Sequence, residues 1–132
     1  GWSATFVDFD DVAAVEAAID ADTRAIFCES IANPGGYITD LDAIAKVADA
    51  TGLPLIVDNT SATPYLCKPI EHGATLVVNS MTKYLTGNGT VTGGVVVDSG
   101  NFDWSASDKF PSLSQPEPAY HGLKFHIHPW HL

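Results

Sequence analysis

Basic residues are scarce in this chain. Six Lys and Arg stand against sixteen Asp and Glu in 132 residues, a formal net charge of −10. That balance excludes the electrostatic footprint of a nucleic-acid binder and argues against attraction to an anionic membrane surface. Cysteine is nearly missing as well. Cys28 and Cys67 are the only two, and neither lies in a CxxC or metal-ligand spacing. Two reduced thiols in a cytoplasmic protein are therefore expected. No apolar run approaches the roughly eighteen residues that a membrane helix needs. The opening stretch from Gly1 to Asp8 has neither a basic start nor an apolar leader, so no secretory signal is expected. Internal repeats are lacking too. There is no GxGxxG, and no GKS or GKT follows Gly87-Asn88-Gly89-Thr90, which removes the dinucleotide and Walker-type readings.

What is present is a globular composition, with 45% hydrophobic and 17% charged residues, enough for one core at this length. The hydrophobic pattern alternates between periods of 2 and 3.6. Ala4 to Val7 reads as a short β-rich run. Val12, Val15 and Ile19 then recur at helical spacing between Asp11 and Asp20, with Asp10 as the expected N-cap. Arg24 to Glu29 is a second run of strand length. Leu41, Ile44, Ala45 and Ala48 mark a second amphipathic helix, capped by Asp40 or Thr39 and closed by Gly52. Pro54 to Asp58 is continuously apolar up to its acid, as a strand buried on both faces would be. Thr75 to Asn79 and Gly93 to Val97 follow. This order predicts an α/β fold, a mostly parallel sheet with flanking helices. From Ser99 onward Gly, Ser, Pro and aromatics crowd together without a period, and a loop or excursion is expected. A doubly wound sheet usually has more strands, so the chain reads as part of a larger domain.

In open α/β sheets ligands sit beyond the carboxyl ends of the strands. That rule directs attention to Glu29 through Asn33, Asp58 through Thr60, and Ser80 through Lys83. A lysine forms a Schiff base when its amine is desolvated or lies near other cations. Taken alone, Lys83 reads first as a surface lysine after a strand, and Asp58 as the cap of the next turn. Together they suggest more: an acid at one strand end and an amine at the next can hold two ends of a flat cationic ring. Other signals carry less. His126, His128 and His131 are close in sequence at one end, and a metal is not expected there. Tyr65 and Tyr84 read as packing or turn residues, Cys28 as core, and the Gly35-Gly36 pair as a turn.

The run Val57-Asp58-Asn59-Thr60, then Thr63-Pro64-Tyr65-Leu66 and Ser80-Met81-Thr82-Lys83-Tyr84, resembles the Cys/Met-metabolism family of pyridoxal-phosphate enzymes. Glu29-Ser30-Ile31-Ala32-Asn33-Pro34 and Gly87-Asn88-Gly89-Thr90 are similar to further segments of that family. Pro69-Ile70-Glu71-His72-Gly73-Ala74, Gly100-Asn101-Phe102-Asp103-Trp104 and Glu117-Pro118-Ala119-Tyr120-His121-Gly122 resemble the branch that acts on O-acetylhomoserine. The resemblance spans about Phe6 to Phe125.

The resemblance implies a partial large domain of fold-type-I transferases over residues 1–125, with residues 126–132 a tail departing from the pattern. It implies pyridoxal 5'-phosphate as cofactor and Lys83 as the Schiff-base lysine that also shuttles protons. Asp58 is implied as partner of the pyridine nitrogen, and Ser80 and Thr82 as phosphate ligands. Thr60 is implied near the ring, and Asn33 near the ring hydroxyl or substrate carboxylate. The implied reaction is a γ-replacement. O-acetylhomoserine plus sulfide or methanethiol would give homocysteine or methionine plus acetate, in a cytoplasmic homo-oligomer (tetramer or dimer). The open alternatives are a methionine γ-lyase, a cystathionine γ-synthase, or a non-catalytic α/β fragment. The family's glycine-rich phosphate loop, ring-stacking aromatic and substrate-binding arginine have no counterpart in these residues. The expectation is that the chain alone binds cofactor weakly and turns over little.

Overall fold

Four acidic or glycine caps, Asp11, Asp40, Gly52 and Gly73, bound helical segments in the first hundred residues. The computed structural model describes residues 1–127, and these fall into two compact units, Gly1–Gly100 and a second from Asn101 on. In the first unit, helix α1 spans Val12–Ala18 and is capped by Asp11, whose Oδ1 accepts from the Ala14 N–H at 3.1 Å. The cap expected at Asp10 thus falls one residue later. Asp10 is held back in the preceding turn, its N–H donating to Asp8 Oδ1 at 3.0 Å. Ala4 to Val7 forms no strand, and Phe6 is 95% exposed; a β-rich run without a neighbouring strand has nothing to pair with.

Helix α2 spans Leu41–Thr51 and starts and stops where the pattern places it. Asp40 accepts from the Ala43 N–H, and Gly52 adopts φ 64, sending its N–H back to Ala48 and Asp49. That left-handed closing residue is cheap for glycine alone. Leu41, Ile44, Ala45, Val47 and Ala48 face the core.

The sheet has four strands in the order β1-β2-β3-β4: Ile26–Glu29, Leu55–Asp58, Leu76–Ser80 and Gly94–Asp98. The first three run parallel and β4 antiparallel to β3, so the mostly parallel sheet with flanking helices holds. Helix α2 packs on β2, α1 on α2, and a 3₁₀ turn at Pro69–His72 on α2 and β3. Ile26, Cys28, Leu55, Val57 and Val77 point into that layer and are buried. Gly73 closes the 3₁₀ turn at φ 88, where a Cβ would meet the Ala45 Cβ at 2.6 Å.

The other sheet face stays largely open. Phe27 is 55% and Val96 62% exposed, with Ile56, Leu76 and Val78 half-buried between them. β2 was expected to be buried on both faces. It alternates instead, because within the first unit α1 and α2 cover one face.

In the second unit Phe102, Trp104 and Phe110 meet edge to face with centroids 4.8 to 5.9 Å apart. A short helix α3, Pro111–Ser114, and a 3₁₀ turn, Pro118–Tyr120, interrupt what the sequence presents as loop. Among the described residues no helix is long and apolar enough to cross a membrane.

Candidate functional site

Parallel strands deliver their carboxyl ends to one edge of a sheet, and here three of those ends carry polar side chains. Glu29 lies in register with Asp58, and Asp58 with Val78, two residues before Ser80. Strand alternation puts Glu29, Asp58 and Ser80 on the open face, each half-buried. One Asp58 oxygen accepts from the Thr60 N–H at 2.9 Å, so the local turn expected after this acid is present. Thr60 then spans the gap between strands. Its Oγ1 accepts from the Ser80 N–H at 2.8 Å.

The turn after β3, Met81–Leu85, is anchored from across a loop. Met81 and Thr82 both donate their N–H to the Gly93 carbonyl, at 2.9 and 3.3 Å. The Thr82 hydroxyl donates to the same carbonyl and accepts from the Gly93 N–H at 3.0 Å. Lys83 breaks the helical path with φ −94 and ψ −120, while Thr86 N–H reaches Met81 and Gly87 N–H reaches Lys83. The lysine is thus presented at a break in a turn pinned on both sides. Its amine is exposed, and among the described residues it has no ion pair or hydrogen bond.

The structure therefore brings Asp58, Thr60, Ser80, Thr82 and Lys83 to one edge, in different states. The Ser80 hydroxyl and one Asp58 oxygen are unengaged among the described residues, whereas the Thr82 hydroxyl is spent on Gly93. Asn33 is exposed, on the loop after β1, with its N–H donated to Glu29 Oε2 at 2.6 Å.

Beneath this edge lie residues that sequence reasoning did not single out. Asn59 is fully buried; its Oδ1 accepts from the Ser30 hydroxyl at 2.7 Å and its Nδ2 donates to the Cys67 carbonyl at 2.8 Å. It ties β1, β2 and the following turn together. Its position beside Asp58, pointing to the covered face by alternation, was the available signal. Asn79 is also buried, and its Oδ1 has no hydrogen-bond partner among the described residues. Burial, and secondarily the charge of Glu29, pushes the Cys28 thiol up to about 12. The half-buried Cys67 is raised by the same two causes, burial and then a carboxylate, here Glu71. A small apolar cleft lined in part by Ile38, Leu41, Ala62, Leu66 and Cys67 includes none of Asp58, Ser80, Thr82 or Lys83.

Chemically, the edge offers an amine for an aldehyde, a carboxylate for a ring nitrogen and a hydroxyl for a phosphate. That donor set fits pyridoxal phosphate. The sequence profile described as Cys/Met metabolism PLP-dependent enzyme matches residues 1–119. The chain belongs to this family.

Relatives within the Cys/Met metabolism family are close. A sulfhydrylase of Gibberella moniliformis is 54% identical over 111 residues, covering 83% of this chain and 26% of that protein. The homocysteine synthase of Schizosaccharomyces pombe is 48% identical over 127 residues, 95% of this chain and 30% of its own length. A crystal structure from Campylobacter jejuni, described as an O-acetylhomoserine (thiol)-lyase with a pyridoxyl-lysine monophosphate, superposes with a TM-score of 0.85. It is 36% identical; the match covers 94% of this chain and 31% of that one. The chain thus spans between about a quarter and a third of the length of these relatives. The likeness to that structure places the sheet in the fold-type-I class of pyridoxal-phosphate enzymes.

Outside this edge the remaining sequence candidates separate. Tyr65 and Tyr84 are 93% and 70% exposed. His126 lies against the Leu113 carbonyl, its Nδ1 2.9 Å away, while His128 and His131 fall outside the described residues, as does most of the tail expected from 126. Among the described residues no group of three His, Cys, Asp or Glu could hold a metal.

Proposed function

We propose that this chain carries the lysine half of a γ-replacement site. The reaction exchanges the Cγ–O bond of O-acetylhomoserine for a Cγ–S bond. Sulfide gives homocysteine and methanethiol gives methionine, with acetate leaving in either case. The observation that supports this reading is the Asp58–Thr60–Ser80 bridge, which draws an acid and the Lys83 turn to adjacent strand ends. The names of the relatives support the choice of substrate and product.

Bound pyridoxal phosphate supplies an electron sink for charge developed at the substrate Cα. The chain's own groups have separate tasks. The Lys83 amine would hold the cofactor at its aldehyde and would be the group that moves protons at the substrate Cα and Cβ. The Asp58 carboxylate holds the proton on the ring nitrogen, aided by an unengaged oxygen. The Ser80 hydroxyl donates to the phosphate, a charge-assisted bond. Thr82 joins it there only if its hydroxyl turns its proton away from the Gly93 carbonyl. Thr60 would lie beside the ring and Asn33 near the ring hydroxyl or the substrate carboxylate, as the resemblance implies.

As the family resemblance implies, a neighbouring subunit is proposed to complete the site, in a homo-oligomer (tetramer or dimer). The two free thiols support a cytoplasmic setting. Residues 1–125 are proposed to act as the cofactor-binding piece.

The test is chemical. The chain is mixed with pyridoxal phosphate, reduced with borohydride, and the adduct mapped by peptide mass. A single adduct on Lys83, lost in Lys83→Ala, supports the reading. Adducts scattered over Lys46, Lys68, Lys109 and Lys124 overturn it.

A further inference from the structure

Glu29 stands where a second carboxylate is a liability. It is the registered neighbour of Asp58 on the next parallel strand, and like charges side by side on a sheet face are destabilising. No lysine, arginine or histidine pairs with it among the described residues, so it is not there as half of an ion pair. What it does hold is the loop after β1. Its Oε2 accepts from the Asn33 N–H at 2.6 Å, and its main-chain carbonyl accepts from the Thr39 hydroxyl at 2.7 Å. Between those two anchors the loop closes on itself, Ala32 N–H to the Tyr37 carbonyl and Thr39 N–H to the Ser30 carbonyl. The Glu29 side chain projects from the open face, as Asp58 does. A backbone N–H bound to it therefore puts Asn33 over that same face. The Asn33 amide itself is exposed and has no hydrogen bond among the described residues.

We infer that Glu29 is a positioning residue that holds Asn33 beside the cofactor-binding edge, leaving the Asn33 side-chain amide free for the cofactor or substrate. This rests on the pyridoxal-phosphate reading above. A carboxylate suits the task because a charged acceptor makes the stronger bond to a backbone N–H, and the four-residue span closes without a side-chain donor.

The experiment compares Glu29→Ala, Glu29→Gln and Asn33→Ala in the 132-residue chain. Amide exchange at Asn33 is followed by NMR without cofactor, with the Val57 amide as the check on an intact core. Pyridoxal phosphate affinity is measured separately by absorbance titration. Losing a hydrogen bond to a charged group is expected to speed Asn33 exchange by about tenfold or more in Glu29→Ala. Glu29→Gln, which keeps an acceptor, recovers most of that protection. Cofactor affinity falls about tenfold in Glu29→Ala, in line with one such bond, and adding Glu29→Ala to Asn33→Ala weakens it no further. Unchanged Asn33 exchange in Glu29→Ala with Val57 still protected overturns the inference. So does faster exchange with unaltered affinity, or full additivity with Asn33→Ala. If the parent chain takes up no pyridoxal phosphate at all, the cofactor reading falls. The exchange comparison then decides by itself whether Glu29 holds Asn33.

Discussion

The Thr60 hydroxyl accepts the Ser80 backbone N–H at 2.8 Å while the Thr60 N–H donates to Asp58. One residue thereby connects the acid at the end of β2 to the turn that carries Lys83. The backbone link between β2 and β3 runs on through the Asn59 N–H, which donates to the Val78 carbonyl at 2.8 Å, and the Thr60 hydroxyl extends it by one more bond to Ser80.

Thr60→Val should cost about 1–3 kcal/mol, the penalty for leaving a half-buried N–H without its acceptor. Thr60→Ser, which keeps the oxygen, should lose much less. Urea denaturation midpoints of the two variants check this. A Thr60→Val protein as stable as the parent would show that water replaces the bridge.

Thr82 uses its hydroxyl in both directions against Gly93. Thr82→Val should loosen the Met81–Leu85 turn and lower the fraction of borohydride-trapped cofactor found on Lys83. Thr82→Ser should retain it. The peptide map after reduction is the readout, and equal trapping in both variants would remove Thr82 from the account.

Gly73 is demanded twice, by its positive φ and by the Ala45 methyl that a Cβ would strike. Gly73→Ala should destabilise by at least about 1–3 kcal/mol, the usual cost of overpacking, with backbone strain added. Ala45→Gly in the same chain should recover part of the loss by opening that space. Thermal melts of the single and double variants test both statements.

The two cysteines should part company on alkylation. Cys28, buried and pushed up to about 12, stays a protonated thiol and resists iodoacetamide through neutral and mildly alkaline pH. Cys67, half-buried, reacts first. The sign for stability follows from a folded pKa above the unfolded value of 9.0. Below pH 9 the thiol is protonated in both states and its contribution is fully present. Between pH 9 and about 12 the unfolded chain loses the proton first, so stability falls as pH rises. Cys28→Ala should flatten that part of the pH profile; an unchanged slope would refute the assignment.

Much of this was legible along the chain. The Asp40 and Gly52 caps bracketed α2 because capping is a local bargain between a side chain or a left-handed residue and the nearest backbone groups. The apolar runs announced β1, β2 and β3, and the Asp58 and Lys83 motifs announced the family. Asp10 was misplaced by one residue, since Asp8 took its N–H and the turn before α1 outweighed the preference of any single aspartate. Ala4 to Val7 failed as a strand because strand formation needs a partner, which a linear pattern cannot supply.

The sequence by itself determined where α1, α2 and the four strands lie and which residue types reach the strand ends. Only the tertiary structure decided which of those ends touch, that Thr60 is a bridge, that the Thr82 hydroxyl is already engaged, and that Glu29 grips Asn33. The reason is physical. Caps and hydrophobic periods act within one turn or one pleat, whereas a hydrogen bond between residues 60 and 80 exists only after two strands have paired in one register.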